Sequence, residues 1–193
     1  MSRSHTVLIG ALIRLAECAD LHREEKGAAI SSLERQVRRL LWHQICFLDV
    51  RTAEAQGHQP IIRDGEFNTP LPSNIDDTAL DALKDIPPFS ERWTDATFTL
   101  IRYECNLVHR SIFRKMVQID NQKIDLKSVR RWVDKRKVSI EEKYLNHLDE
   151  SIPLQLCAKV VGRLLTAKFN AMLLHRHLRE DNVTAPQPEL QDT

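Results

Sequence analysis

Three charged residues, Asp49, Arg51 and Glu54, lie in one of the most apolar stretches of the chain, residues 38–54. Carboxylates and guanidinium groups bind ligands or catalyse proton transfer when an apolar environment holds them. The same environment makes an unpaired charge costly, so each group needs a partner or a hydrogen bond. We therefore expect these three residues to belong either to a structural cluster or to a recognition site.

A structural ion-pair cluster is the favoured interpretation. The predicted partners are Arg102 and Glu104, which lie on a later segment with helical spacing of apolar residues. The alternative is a ligand-recognition cluster, which Arg63 from the intervening loop could reach.

Clustered carboxylates at Asp76, Asp77 and Asp81 suit a hard cation such as magnesium. Acidic residues are also typical of helix starts, where they accept hydrogen bonds from unpaired backbone N–H groups. The proline-flanked setting and the lack of a second acidic motif favour a helix cap over a metal site.

Basic residues surround Trp132 and could contact phosphate groups. They are Arg130, Arg131, Lys135, Arg136 and Lys137. A solvated helix face paired with Glu141 and Glu142 is favoured, because the whole chain is nearly neutral.

Other chemistry-bearing residues form no recognised motif. His175 and His177 are two positions apart and point in different directions on a helix, so they cannot chelate one ion together. Ser111 and His109 lack a nucleophile elbow or triad context. We therefore predict no catalytic residue, metal ligand or cofactor, and the chain is not expected to be an enzyme.

Size and composition favour one soluble domain. The 193 residues are 42% hydrophobic, and 28 Lys and Arg residues nearly balance 27 Asp and Glu residues. This balance gives no support for DNA binding. The four cysteines lie far apart in helical patterns and are expected to be small buried residues. The apolar run at residues 7–13 is too short for a membrane span.

The central helix has clear start and stop signals. Apolar residues recur along residues 37–50 at three- and four-residue spacing. Ser31 and Glu34 fit a capping box at the start, and Gly57 followed by Pro60 predicts the end. Residues 58–77 contain several prolines and little periodicity, which indicates a surface or functional loop.

The remaining segments are predicted to be helices. Apolar periodicity marks residues 8–19, residues 98–116 and a final helix after Pro153, whereas residues 126–149 form one helix or two with a break near Lys137 and a cap at Ser139. A short helix is expected from Asp77 to about Leu83. The fold class is therefore all-α, a single irregular helical domain of five to seven helices, followed by a disordered tail at residues 180–193.

Two separated blocks carry a family resemblance. They are the run Arg38-Arg39-Leu40-Leu41-Trp42-His43-Gln44-Ile45-Cys46-Phe47-Leu48-Asp49 with the later Gly57, and the loop Asn68-Thr69-Pro70-Leu71-Pro72-Ser73-Asn74-Ile75-Asp76-Asp77. These blocks resemble the fungal-specific transcription factor domain, the middle homology region of fungal zinc-cluster regulators. Residues 1–179 are identified as a partial copy of that domain.

The resemblance implies a nuclear regulatory protein that acts in a fungal metabolic or secondary-metabolite pathway. Such regulators carry a six-cysteine zinc cluster ahead of this domain, and these 193 residues contain only four cysteines. We therefore expect regulation through protein contacts, with a homodimer or a full-length transcription factor as partner, rather than direct DNA binding. A small-molecule effector is compatible with the family.

Nine residues are the structural or regulatory candidates of this interpretation. They are Arg39, Trp42, Asp49, Arg51, Glu54, Gly57, Arg63, Pro70 and Asp77. The alternative function is a small-molecule-binding protein or repurposed enzyme, with a pocket between the central helix and the loop at residues 58–77. A third interpretation is an incomplete or decayed gene product.

Overall fold

A computed structural model describes residues 3–25, 30–82 and 92–184. Within these ranges the chain forms helices and no strand, so the predicted all-α class with five to seven helices is confirmed. The α-helices are α1 (Arg3–Cys18), α2 (Ser32–Gln56), α3 (Thr97–Asp120), α4 (Leu126–Lys143) and α5 (Pro153–Thr184). Two short 3-10 helices span Asp77–Ala82 and Leu145–His147.

Both predicted ends of the central helix, α2, are confirmed. The Ser31 hydroxyl accepts a hydrogen bond of 3.1 Å from the Glu34 backbone N–H, which satisfies a donor that has no partner within the helix. Gly57 adopts a left-handed conformation with φ of 71°, and its N–H donates to the Ala53 carbonyl. Glycine is suited to this position because it has no Cβ to clash.

Other boundaries differ from the predictions. Helix α4 is continuous from Leu126 to Lys143, which confirms the one-helix alternative up to Lys143 and excludes a break near Lys137 or a cap at Ser139; the helix ends six residues before the predicted end at residue 149. Asp125 is the cap instead, since its carboxylate accepts the Ser128 N–H at 2.8 Å. The short helix that was expected at Asp77 is a 3-10 helix. Helix α5 continues to Thr184, beyond the predicted start of the tail, and residues 185–193 lie outside the described residues.

Two apolar clusters form the interior. The larger joins α3, α4 and α5 through side chains such as Ile101, Val133 and Phe169. The smaller joins α1, α2 and the following loop through Ile9, Trp42 and other side chains. Helix α3 contacts α2, α4 and α5, and it therefore connects the two clusters.

Two of the four cysteines depart from their predicted burial. Cys46 and Cys105 are buried as expected, and burial raises the pKa of each thiol to about 12. Cys18 and Cys157 are exposed, so the prediction of small buried residues was wrong for them. Helical spacing alone did not reveal which side of each helix would be covered.

Candidate functional site

A buried ion pair joins α2, α3 and the long loop at residues 58–76. Asp49 and Arg110 approach to 3.1 Å, and both side chains are 2% exposed. The Asp49 carboxylate also accepts the backbone N–H groups of Ile61 and Ile62 at 2.9 and 3.0 Å. Arg110 donates to the carbonyl oxygens of Ile62 and Cys46. The pair therefore fixes the start of the loop against both helices.

The partner predicted for Asp49 was wrong. Arg102 lies instead over the Phe47 ring, with its Cζ 4.5 Å from the ring centroid. Glu104 forms an ion pair with Lys143 at 2.8 Å and accepts a hydrogen bond from the Tyr144 hydroxyl. Arg102 lies eight residues before Arg110, about 12 Å along the helix axis. The crossing of α2 and α3 decides which of the two arginines faces Asp49, and residue spacing cannot supply that relation.

A second polar cluster contains two predicted residues and two that the sequence analysis did not assign to it. Arg51 and Glu54 approach to 3.0 Å, and Lys168 of α5 approaches Glu54 to 2.7 Å. Arg51 also donates to Nδ1 of His109 at 3.2 Å. Because arginine only donates, this contact requires the His109 tautomer with its proton on Nε2. The cluster therefore joins α2, α3 and α5.

His109 is neutral in the folded protein. Burial and, to a smaller extent, the nearby positive charges of Arg51 and Lys168 together lower the pKa of its imidazole to about 3. The edge of its ring faces Phe169, with 4.8 Å between centroids. His109 and Lys168 lie 58 and more residues from Arg51, so no local pattern could have assigned them to this cluster.

Trp42 lies at the centre of the smaller apolar cluster. It is 1% exposed, and its ring meets the ring of Phe67 in an edge-to-face arrangement with 5.5 Å between the centroids. One turn away, Arg39 donates to Glu24 at 2.7 Å, and this hydrogen bond holds the pKa of the Glu24 carboxyl below its usual range. His43 lies 3.0 Å from the Pro70 carbonyl oxygen. The predicted run and the predicted loop are therefore in direct contact.

The acidic residues of the loop contact other parts of the chain. Asp76 forms an ion pair with Arg92, and it also accepts the Asp95 backbone N–H. Asp77 begins the 3-10 helix and donates its backbone N–H to Asp95. The described residues contain no group of three or more potential metal ligands. In the contacts to Asp95, the Asp76 carboxylate accepts an N–H from outside the 3-10 helix and Asp77 acts as the donor, so the cap interpretation of these acidic residues stays a prediction.

A cavity of about 610 Å³ lies between residues 59–64 and the second half of α3. Arg63 and Asp64 line it, as do Arg114, Lys123 and the apolar side chain of Phe113. The sequence analysis placed a pocket between the central helix and this loop, whereas α3 forms the wall of this cavity that lies opposite the loop. Basic groups outnumber the single carboxylate of Asp64 in this lining.

The nine candidate residues do not form one site. Asp49 belongs to the buried ion pair, Arg51 and Glu54 belong to the second cluster, and Arg63 reaches the cavity. The others hold the central helix and loop in place through the contacts described above. Their regulatory role stays a prediction. None of the helices that the structure describes is both long and apolar enough to cross a membrane.

Comparison with known proteins points to one family. The model described as "Fungal specific transcription factor domain" matches residues 2–144. The C6 finger domain transcription factor hasF of Aspergillus fumigatus is 29% identical over 100% of this chain and 28% of its own length. An aurofusarin cluster transcription factor of Gibberella zeae is 26% identical over 95% of this chain and 28% of its own length.

A third relative covers less of the chain. The C6 finger domain transcription factor nscR of Trichophyton tonsurans is 32% identical over 63% of this chain. The chain spans about 28% of the length of the first of these curated relatives. No solved structure shows a significant match.

Proposed function

This chain belongs to the fungal specific transcription factor domain family, and from that premise we propose that it regulates fungal gene expression as a helical domain that acts through protein contacts. The family match across residues 2–144 carries the proposal. Relatives named as transcription factors, one of them of an aurofusarin cluster, support a role in secondary metabolism. The site of action that follows from this role is the nucleus, and the role requires no catalysis.

The structure offers surface for such contacts. Large apolar side chains are exposed on α1, α2 and α5, including Leu8 at 67%, Leu41 at 50% and Leu164 at 68%. Grouped apolar exposure of this kind marks interaction surfaces. The buried polar clusters connect two of these helices, α2 and α5, to α3.

A tethering assay tests the regulatory role. The chain is fused to an unrelated DNA-binding domain and placed upstream of a reporter gene in a fungal host. We expect the fusion to change reporter output severalfold relative to the DNA-binding domain alone. The Asp49→Ala fusion is the control, because loss of the buried pair should destabilise the domain and weaken the effect. Equal output from the fusion and the isolated DNA-binding domain would contradict the proposal.

DNA binding by these 193 residues is tested separately. The net charge is +1, and without a dense basic surface even non-specific DNA affinity is small at about 150 mM salt. We expect no retention of promoter fragments in a gel-shift assay. Tight retention of one defined fragment would show that this part of the chain reads DNA directly.

A second candidate function is the recognition of a small anionic effector in the cavity beside α3. Its volume of about 610 Å³ falls in the range of ligand pockets. Arg63, Arg114 and Lys123 can bind carboxylate or phosphate groups, while Phe113 and Val117 supply apolar surface. This candidate adds an effector to the regulatory role.

A thermal-shift screen with aromatic and aliphatic carboxylic acids tests the effector site. A ligand present at about 100 times its Kd stabilises the folded state by about 2.7 kcal/mol, which raises Tm by several degrees in a chain of this size. Arg114→Gln should abolish the shift. Arg130→Gln, in which the lost arginine lies on α4, should retain it. A shift that survives Arg114→Gln would place the ligand elsewhere.

A further inference from the structure

Helix α5 carries a row of exposed small and apolar residues on the side away from the core. We call this row the α5 stripe, and it consists of Cys157, Val160, Leu164, Ala167, Ala171 and Leu174. Its steps alternate between three and four residues. The three large members are well exposed, with Val160 at 58%, Leu164 at 68% and Leu174 at 46%. This 3-4 alternation is the spacing by which two helices pack along their length.

The α5 stripe lies on a different face from the residues that hold α5 in the fold. Ala158, Phe169 and Leu173 face the core and are almost fully buried. With about 100° of rotation per residue, the stripe covers an arc of about 100° on the outer side of the helix. A helix that is apolar on two faces is usually covered on both.

We propose that the α5 stripe is the docking surface for the α5 stripe of a second copy of this chain, in antiparallel orientation. This inference rests on the proposed function, because it names the partner for one of the proposed protein contacts. The family match ends at residue 144, so the family model does not describe this surface.

The order of large and small side chains selects a second antiparallel copy. A two-fold axis midway between Leu164 and Ala167 places these two residues opposite each other. The same axis places Val160 opposite the partner's Ala171. Large side chains then face small ones at successive levels, which lets the two helices interdigitate without gaps.

A parallel pair lacks this complementarity. It would place Leu164 opposite Leu164 and Ala167 opposite Ala167. The separation of two packed helices depends on the side chains between them, so alternating wide and narrow levels would leave gaps. The antiparallel register is therefore the better fit.

The borders of the α5 stripe do not oppose association. Arg163 lies on one border and approaches Glu141 of α4 to 3.0 Å. Lys168 lies on the other border and approaches Glu54 of α2 to 2.7 Å. Each border thus carries a cation with its own anion, and two copies can approach without uncompensated like charges.

The length of the α5 stripe limits the expected affinity of the dimer. From Cys157 to Leu174 the helix rises about 26 Å, which provides less area than the roughly 1,600 Å² of a standard stable interface. We therefore expect a reversible dimer with a dissociation constant in the micromolar range.

Sedimentation velocity over a concentration series from about 1 to 100 µM tests the proposal on the full chain. The wild type should shift from monomer to dimer. Leu164→Glu should weaken dimerisation at least tenfold, because it places two charges at the centre of the interface. Leu15→Glu is the matched control, since Leu15 is 67% exposed but lies on α1; it should dimerise like the wild type. Val160→Lys provides a second disrupting variant, and circular dichroism checks that every variant is folded.

Cross-linking tests the antiparallel register. In a Cys18→Ser background, Leu174→Cys should form a disulfide-linked dimer, because position 174 faces the partner's Cys157. Additional replacement of Cys157 by Ser should abolish the link. Without the Leu174→Cys change, Cys157 should form no disulfide, since the two copies of Cys157 lie at opposite ends of the interface.

Several outcomes would overturn the dimer. They are a monomeric wild type up to 100 µM, equal effects of the Leu164→Glu and Leu15→Glu changes, and a direct Cys157–Cys157 disulfide, which would indicate parallel packing. A monomeric wild type that still changes reporter output in the tethering assay would refute the dimer alone. A dimer without reporter output would refute the regulatory role alone.

Discussion

Asp49 and Arg110 form a buried ion pair. Removing one partner of such a pair costs more free energy of unfolding than the intact pair contributes. Removing two charges from water costs several kcal/mol per ion, and the pair recovers this only through the mutual attraction of the charges and additional hydrogen bonds. Here each side chain also binds backbone groups of the loop or of α2. Loss of either partner leaves an unpaired charge in the interior.

We predict that Asp49→Ala destabilises the protein by about 3–5 kcal/mol, because it leaves Arg110 buried without its counter-charge. Urea denaturation followed by circular dichroism measures the change. Glu17→Ala is the control, since its partner Arg14 is 84% exposed and an exposed pair contributes about 1 kcal/mol or less. Similar decreases in the free energy of unfolding of both variants would mean that the buried pair stabilises the fold no more than an exposed pair does.

His109 makes stability depend on pH. In the unfolded chain its pKa is near 6.5, whereas burial lowers the folded-state pKa to about 3. Above pH 6.5 the imidazole is neutral in both states. As the pH falls from about 6.5 towards 3, the unfolded state binds a proton that the folded state excludes. Stability should therefore fall by up to about 1.36 kcal/mol per pH unit in this window.

His109→Gln should flatten this dependence, because glutamine can accept the Arg51 hydrogen bond but does not titrate. The free energy of unfolding is measured by urea denaturation between pH 7 and pH 5. A slope remains from His43, whose pKa burial also lowers. The exposed His147 supplies the control variant His147→Gln, which should keep the wild-type slope. An unchanged slope in His109→Gln would contradict the prediction.

At the level of elements, Gly162 marks the closest approach between α5 and its neighbours. A Cβ at this position would lie 2.7 Å from Leu145 Cδ2 and 3.1 Å from Ile101 Cγ2. Both neighbours are fully buried and have little room to move. The absence of a side chain at position 162 therefore lets α5 pack tightly on α3 and on the 3-10 helix at Leu145–His147.

We predict that Gly162→Ala lowers the free energy of unfolding by roughly 1 kcal/mol. Overpacking costs about 1–3 kcal/mol, and this exceeds the gain of about 1 kcal/mol from better helix propensity. Gly10→Ala is the matched control within α1, because its Cβ would meet only Ile61 Cδ1 at 4.0 Å. That variant should gain stability. A stabilising Gly162→Ala change would show that α5 can shift at little cost.

At the scale of the whole molecule, the two apolar clusters differ in size. The cluster around α3, α4 and α5 has fifteen buried members among the described residues, whereas the cluster around α1 and α2 has seven. Among the described helices, α1 contacts only α2. Because regions with fewer buried contacts open first, α1 should open before α3.

Hydrogen-exchange mass spectrometry tests this order of opening. Peptides from α1 should exchange faster than peptides from α3. The Asp49→Ala change should also raise the exchange rate of peptides from the loop at residues 58–76. Equal protection of α1 and α3 would mean that the two clusters open as one unit.

Several features were predictable from the sequence alone, because they depend on interactions between residues that are close together along the chain. The caps of α2 at Ser31 and Gly57 depend on a few adjacent residues, and the inward face of α5 follows from the spacing of Ala158, Phe169 and Leu173. The two motif blocks indicated the family that the comparisons confirm. Each of these signals is contained within a short window of chain.

Only the tertiary structure decided the relations between distant residues. Asp49 and Arg110 are 61 positions apart, and the contact between them depends on how α2 and α3 cross. The cavity lies against α3 because the Asp49 pair holds the loop there. The periodicity of α5 could not show that its second apolar face would remain exposed. Spacing along a helix determines which residues share a face, but the packing of the other helices determines whether that face is covered.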